Sequence, residues 1–402
     1  MGRTDRGRTT AGTTPSLSAR LRLVGGGLIL IALVVGGIVS SPWLRDHWSE
    51  WTHELRDRAA ATPQLRIEEQ RTLAGSESML IVLTDEEQRG VAFALLSRAG
   101  DEPATLVLVP AALYDILPGY GDFPLADATV FEGPELARLT LSNVLGVRID
   151  RILALGPGDL AAAIGSDLDV ALASPLIVEE PDGPPLRVAA EGTLPRSPEV
   201  VETILTTRGT SGEFEWLERQ AAVWEALMGA MEHDPELTDR LAAHAGAGAD
   251  TATGILARTA AGEVQVTLLP VVAVSAAGVE DGFKVDADAA SGFVASRLGH
   301  LLLAEGDRPR VEILNGNGRI LTTRAVAESL IRAGFRIVNT DNADSFDYEE
   351  SLVVAQGREH QADAERVLDV LGRGSLLLEL RTPSGVVDVS IIVGQDLPIG
   401  EG

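Results

Sequence analysis

From Leu23 to Leu44 the chain runs for 22 residues without a charged side chain. Wound as a helix at about 1.5 Å per residue, such a run crosses a hydrocarbon core of about 30 Å. The tail before it carries Arg3, Arg6, Arg8, Arg20 and Arg22 against Asp5 alone. Positive charge beside a span holds its flank in the cytoplasm. The pattern therefore predicts a cytoplasmic tail at 1–22, a transmembrane helix at 23–44 and an extracytoplasmic remainder ending in the C-terminus. Trp43, Trp48 and Trp51 follow, where amphipathic rings favour the membrane interface. The competing reading is a cleaved leader, but the apolar run is too long for one and Pro42-Trp43 is a poor cleavage site.

Charge then excludes a class of partner. The whole chain has formal charge −26. Setting aside the tail's +4 leaves −30 on residues 23–402, a field that does not draw nucleic acid. There is no cysteine, which removes disulfides, zinc–thiolate sites and thiol nucleophiles together. About 350 residues beyond the span are enough for two domains.

Residues 45–75 read as a charged helical stalk. Short apolar runs at Met79–Leu83, Val91–Leu96 and Ala104–Val109 read as buried strands, and Pro134–Leu145 as a helix stopped by Gly146. Strand Ile149–Leu155 and helix Gly158–Ile164 continue an alternation that marks an α/β or α+β layer fold. In the helix Glu213–Met231, Phe214, Leu217, Ala221, Trp224, Met228 and Met231 fall on one stripe expected to be buried. Ala242–Gly254 is small, glycine-rich and reads as mobile. After a helix at Ala290–Leu303, Ala304–Pro309 reads as a linker. A compact second α/β domain follows, with strands at Arg310–Leu314, Phe335–Asn339, Ser351–Ala355, Leu376–Leu380 and Val386–Val393 and helices at Thr322–Ala333 and Gln361–Leu371.

No G-x-S-x-G elbow, P-loop or H-E-x-x-H motif occurs, and the six histidines are scattered. Asp167/Asp169 and Asp286/Asp288 have the chemistry to hold a divalent ion, and also that of solvated acidic faces. Asn315-Gly316-Asn317-Gly318, between a strand and a helix, has the geometry of a phosphate cradle or of a tight turn needing positive φ.

The run Glu132–Arg151 with Ile152–Gly165 resembles the central segment of LytR-CpsA-Psr domains, and Leu217-Glu218-Arg219-Gln220 is similar to that family's closing Arg-Gln motif. Residues 309–396, through Val311–Gly318 and Arg332–Val338, resemble the LytR C-terminal domain. The resemblance implies a LytR-CpsA-Psr-like mixed-sheet domain at 76–303 and a small α/β domain at 309–396. It also implies an envelope function: transfer of glycopolymers from a polyprenyl-pyrophosphate carrier to peptidoglycan, with arginines on the pyrophosphate and acidic residues holding magnesium.

This sequence departs from the pattern where that chemistry belongs. Pro110 is followed by Ala111 and Ala112 in place of an arginine and an aspartate. Thr206 and Trp216 stand where the family has arginines. The residues left are Arg208, Arg219 and Gln220 as polyprenyl-phosphate-binding candidates and Asp85 as a metal candidate. Each has a plainer reading: Arg219 lies four residues after Glu215, the spacing of a surface ion pair, and Asp85 suits a loop or cap. The expected function is a membrane-anchored protein of envelope assembly. It would carry a catalytically degenerate domain that binds a lipid-linked or cell-wall ligand, or regulates active relatives. Expected partners are polyprenyl-linked glycopolymer, peptidoglycan or another protein of the family. The alternatives are an active transferase whose arginines come from Arg98 or Arg138, and a structural scaffold.

Overall fold

The computed structural model describes residues 75–181, 183–276, 279–379 and 385–397. The tail, the apolar run 23–44 and the stalk up to residue 74 lie outside them. Among the described residues no helix is long and apolar enough to cross a membrane.

The chain opens with β1 (Ser76–Thr84), β2 (Gly90–Ala99) and β3 (Ala104–Val109), an antiparallel meander. A hairpin the sequence reading did not foresee, β4 (Tyr114–Leu117) and β5 (Gly121–Pro124), leads into α1 (Leu125–Glu132) and α2 (Pro134–Leu145). β6 (Arg151–Leu155) and α3 (Asp159–Ile164) follow. Then come four short strands, β7 (Leu168–Leu172), β8 (Leu176–Val178), β9 (Leu186–Ala189) and β10 (Gly192–Arg196), paired as two ribbons. Helices α4 (Pro198–Thr206), α5 (Glu213–His233), α6 (Pro235–Ala242) and α7 (Ala249–Ala260) precede β11 (Val264–Leu268), the hairpin β12 (Val271–Ala276) and β13 (Val279–Val285), and α8 (Ala287–Arg297). The stretch expected to be mobile at Ala242–Gly254 is instead a 3₁₀ turn and the start of α7, with Ala242 and Ala252 fully buried. Small side chains there permit close helix packing.

The first sheet has the order β11-β3-β2-β1-β6, with β2 antiparallel to the other four. Successive side chains point to opposite faces, and here both faces are covered, which is why the strands read as unbroken apolar runs. Met79, Ile81, Leu83, Leu96 and Leu106 pack with Leu217, Trp224, Leu227 and Met228 of α5. Leu80, Val82, Phe93, Leu95 and Val107 pack with Leu136, Ala137 and Leu141 of α2 on the other face.

The second sheet is built from β14 (Arg310–Asn315), β15 (Arg336–Asn342), β16 (Leu352–Gln356), β17 (Ser375–Glu379) and β18 (Val389–Val393), with α9 (Ile320–Arg332) and α10 (Gln361–Leu371) packed against it. Its order is β15-β14-β18-β16-β17. The apolar cluster beneath it includes Ile116 and Leu139 from the first sheet's layer. Polar contacts cross the same junction. Asn143 of α2 donates to the Ile337 carbonyl and accepts from the Ile337 N–H, each at 2.8 Å. Arg138 reaches Glu328 at 3.2 Å, and Arg324 reaches Glu132 at 3.0 Å. Arg308, read as linker, donates to the Asn143 carbonyl at 2.6 Å, and burial pushes its guanidinium down to about 10.

Candidate functional site at the strand-end edge

Because β1, β3, β6 and β11 run the same way, their C-terminal ends share one edge of the first sheet. Ligands of open α/β sheets favour this edge, since the loops there are free to vary. Asp85 follows β1 and Ala111-Ala112 follow β3. The Ala112 carbonyl accepts the Phe283 N–H at 3.1 Å. Phe283 meets Phe214, near the start of α5, edge to face at 5.4 Å. Phe214, at the start of α5, therefore lies at this edge; Arg208 belongs to the loop before that helix and Arg219 to its second turn.

Arg219 is 1% exposed. The surface ion pair read from its spacing is thus half right: Glu215 lies 3.4 Å away, but α5 packs against β7, α4, α7 and β11, so both flanks of the helix are covered. The apolar stripe is correspondingly wider than expected and holds Trp216, Leu217, Val223, Trp224, Leu227, Met228 and Met231, while Phe214 is exposed. The Arg219 guanidinium donates to the Arg208 carbonyl at 2.8 Å, to Ser211 Oγ, and to Ser174 Oγ at 3.3 Å. Burial holds its pKa below the usual arginine value, against the favourable charge of Glu215.

Two neighbours on α5 do similar work. Trp216 Nε1 donates to the Ile204 carbonyl at 3.1 Å, and Gln220 Nε2 donates to the Leu205 carbonyl at 2.9 Å. The last carbonyls of a helix have no partner inside it. Here α5 supplies partners to the end of α4 and to the loop after it. Gly209 sits in that loop at φ +66°, where an added Cβ would lie 2.2 Å from the Ile177 carbonyl oxygen, so only glycine fits. The closing Arg-Gln segment is a staple for the α4–α5 turn. Arg208 itself is at the surface, its side chain 41% exposed and 3.9 Å from Glu213.

Asp85 serves its own turn: its carboxylate accepts the Arg89 N–H at 2.8 Å, and its N–H donates to the Arg89 carbonyl at 2.9 Å. Among the described residues no group of three histidine or acidic side chains could hold a metal ion. One carboxylate already engaged by a turn does not fit a magnesium ion, which takes near-octahedral oxygen ligation. Asp286 caps α8, accepting from the Asp288 and Ala289 N–H groups at 3.1 Å. The Asn315–Gly318 turn is bonded as well: Asn315 Oδ1 accepts the Asn317 N–H at 3.3 Å, Asn317 Nδ2 donates to the Gly394 carbonyl at 2.8 Å, and Gly318 takes φ +72°.

Arg98 and Arg138 do not reach the edge. Arg98 pairs across the meander with Glu77, near the start of β1 and so at the opposite edge, and donates to the Gly100 and Arg258 carbonyls. Arg138 belongs to α2, on the sheet face away from α5, and bonds Glu135 and Glu328. Sequence reasoning missed Ser174 and Ser211 as partners of Arg219, and missed buried Arg196, which donates to the Ala190 carbonyl. Contacts of this kind leave no spacing to read.

No curated protein matches the chain in sequence. Among solved structures it is similar to TagV of B. subtilis, at 14% identity over 56% of this chain and 97% of that one, TM-score 0.45. It is also similar to the LytR-CPS2A-psr family protein YwtF (TagT) with bound octaprenyl pyrophosphate lipid, at 16% identity over 59% and 94%, TM-score 0.43. A third is the LytR-Csp2A-Psr enzyme from Actinomyces oris, at 20% identity over 54% and 89%, TM-score 0.41. Residues 308–397 match the family described as LytR cell envelope-related transcriptional attenuator, so this stretch of the chain, the second sheet with its helices, is a LytR C-terminal domain.

Proposed function

We propose that this chain is a membrane-anchored, non-catalytic protein of bacterial envelope assembly, with its N-terminus in the cytoplasm and both folded domains outside. The observation that carries the reading is the chemistry of the strand-end edge. Methyl groups stand at Ala111 and Ala112, and buried Arg219 is bonded to the protein's own Arg208 carbonyl, Ser174 and Ser211. Transfer from a pyrophosphate carrier needs positive charge where the leaving group develops its negative charge. Arg208 and Arg89, exposed arginines of the loops at this edge, lie 3.9 Å from Glu213 and 2.9 Å from Asp127 and supply little of it. The LytR C-terminal domain supports a cell-envelope role, and the uncharged run Leu23–Leu44 with its basic flank supports the anchor. The chain acts by association, with lipid-linked glycopolymer, peptidoglycan or an active relative as partner class.

The test is a transfer assay on the full chain in detergent with magnesium or manganese and a polyprenyl-pyrophosphate-linked saccharide. Product at the level of a no-protein control is expected, and turnover above it overturns the non-catalytic reading. A reporter active only in the cytoplasm, fused after Gly402, is expected to be silent; strong signal reverses the topology.

A further inference from the structure

After α8 the chain leaves the first domain through a 3₁₀ turn, Gly299–Leu301, and the turn is pinned on both sides. Leu298 and Leu301 are buried in the apolar cluster between the first sheet and α2. The Leu301 carbonyl accepts the Arg148 N–H at 2.8 Å, and the Leu303 N–H donates to the Gly146 carbonyl at 2.9 Å. Leu303 already belongs to the apolar cluster of the LytR C-terminal domain. Ala304 is seated against Gly334, where an added Cβ would lie 2.8 Å from the Ala304 Cβ. Between Leu298 and Ala304 the chain thus passes from one core into the other, and His300 stands on the way. Its Nε2 lies 2.8 Å from Ser97 Oγ on β2, and Ser97 is 1% exposed.

The surroundings of His300 suit a neutral imidazole. It faces Arg148, whose guanidinium is paired with Asp150 at 2.8 Å, and Asp150 accepts from Ser78 Oγ at 3.0 Å. The carboxylate facing it is Glu102, on the exposed turn between β2 and β3. Other charges on the packed elements are engaged elsewhere: Glu77 of β1 with Arg258, Arg98 of β2 with the Gly100 and Arg258 carbonyls, and Arg297 of α8 with Gln265. Burial holds the imidazole's pKa below 6.5; Glu102 opposes this and Arg148 adds to it. The closed turn therefore binds the proton less tightly than an open one. Its advantage is full above pH 6.5 and is lost as pH falls through the lowered pKa.

We propose that His300 is an acid-released latch for the LytR C-terminal domain: the charged imidazole leaves Ser97, the turn lifts from the Arg148 backbone, and the domain swings away from α2. The coupling is geometric. Two residues separate His300 from Leu303, so moving the first draws the second out of its cluster. Release uncovers the α2 face that carries Leu139 and Asn143.

The test uses the full chain in phosphatidylcholine nanodiscs at low ionic strength. The sequence has no cysteine, so Asp167→Cys and Glu365→Cys, one exposed position in each domain, take spin labels whose separation is read by double electron–electron resonance. One distance is expected at pH 7.5, with a second growing in below pH 6.5 while the circular dichroism stays unchanged. His300→Gln can still reach Ser97 but does not titrate, and is expected to keep the single distance at pH 5. Glu102→Gln removes the exposed carboxylate that favours the charged imidazole. It is expected to move the midpoint down by about 0.3 pH units, the scale of an exposed charge pair. The proposal is overturned by a single distance at both pH values, by loss of ellipticity along with the second distance, by acid opening of His300→Gln, or by an unmoved midpoint in Glu102→Gln. If His300→Gln is open at pH 7.5 as well, the Glu102→Gln midpoint decides alone.

Discussion

Arg219 and Arg208 differ by environment, and their substitutions should differ accordingly. Removing the Arg219 side chain takes a donor from Ser174, from Ser211 and from the Arg208 carbonyl, which keeps the Ser211 hydroxyl as its other donor at 2.6 Å, and costs about 1–3 kcal/mol. Arg208→Ala removes a side chain that is 41% exposed, with a Glu213 carboxylate oxygen 3.9 Å away, and is expected to cost under about 1 kcal/mol. Chemical denaturation of both variants checks the ratio; equal losses would mean that Arg219 is not a staple. A second residue gives a pH signature. Burial raises the Asp115 carboxyl above 3.8, opposed by the Ile116 N–H and by Arg336 and Lys284, while Asp122 adds to the rise. The folded chain then binds this proton more tightly than the unfolded chain, so stability falls as pH climbs through the raised pKa. Asp115→Asn is therefore expected to raise the unfolding midpoint at pH 7 and to have no such benefit below pH 3.8. A benefit independent of pH would reject this assignment.

At the level of elements, α2 joins the two domains. Its Asn143 pairs with both backbone groups of Ile337 as a neighbouring strand would, giving β15 a side-chain partner where it meets the first domain. Asn143→Ala strands a buried N–H and a buried carbonyl, each worth about 1–3 kcal/mol when unsatisfied. The expected outcome is a drop of about 2–4 kcal/mol together with faster amide exchange at Ile337. Unchanged exchange there would show that the apolar contacts of Ile116 and Leu139 hold the junction by themselves. The ends of elements show the same economy of partners. The carbonyls closing α4 are met by Trp216 and Gln220, so the segment that holds the phosphate-binding candidates Arg219 and Gln220 also completes the end of a helix.

For the molecule as a whole, the question is how independently the two sheets behave. Residues Glu305–Asp307 are exposed, whereas Leu303 and Arg308 on either side are held by the Gly146 and Asn143 carbonyls. A protease should cut in this short span and produce a C-terminal fragment of about 90 residues, the size of a small domain. The two pieces are expected to co-elute in native gel filtration, because Ile116, Leu139, Asn143 and Arg138 cross the junction, and to separate in Asn143→Ala. Separation of the wild-type pieces would show the interface to be weaker than these contacts imply.

Much of the fold is legible in the sequence. Strand Ala104–Val109 and helices Pro134–Leu145 and Gln361–Leu371 lie within the bounds read from their apolar patterns, Pro134 and the stopping glycines. So is the absence of charge at Ala111 and Ala112 after β3, since an alanine side chain carries neither charge nor donor however the chain folds. The hairpin β4–β5 escaped because its strands are four residues each and lack clear alternation. Tertiary structure alone decided the fate of Arg219 and of His300. Spacing along one helix tells which side chains share a face, but not what covers that face. The partners of Arg219 include a backbone carbonyl, which every residue possesses and which no sequence pattern distinguishes. Ser97 and His300 stand 203 positions apart, on a strand and on a turn, and meet only because the chain after α8 folds back over the first sheet.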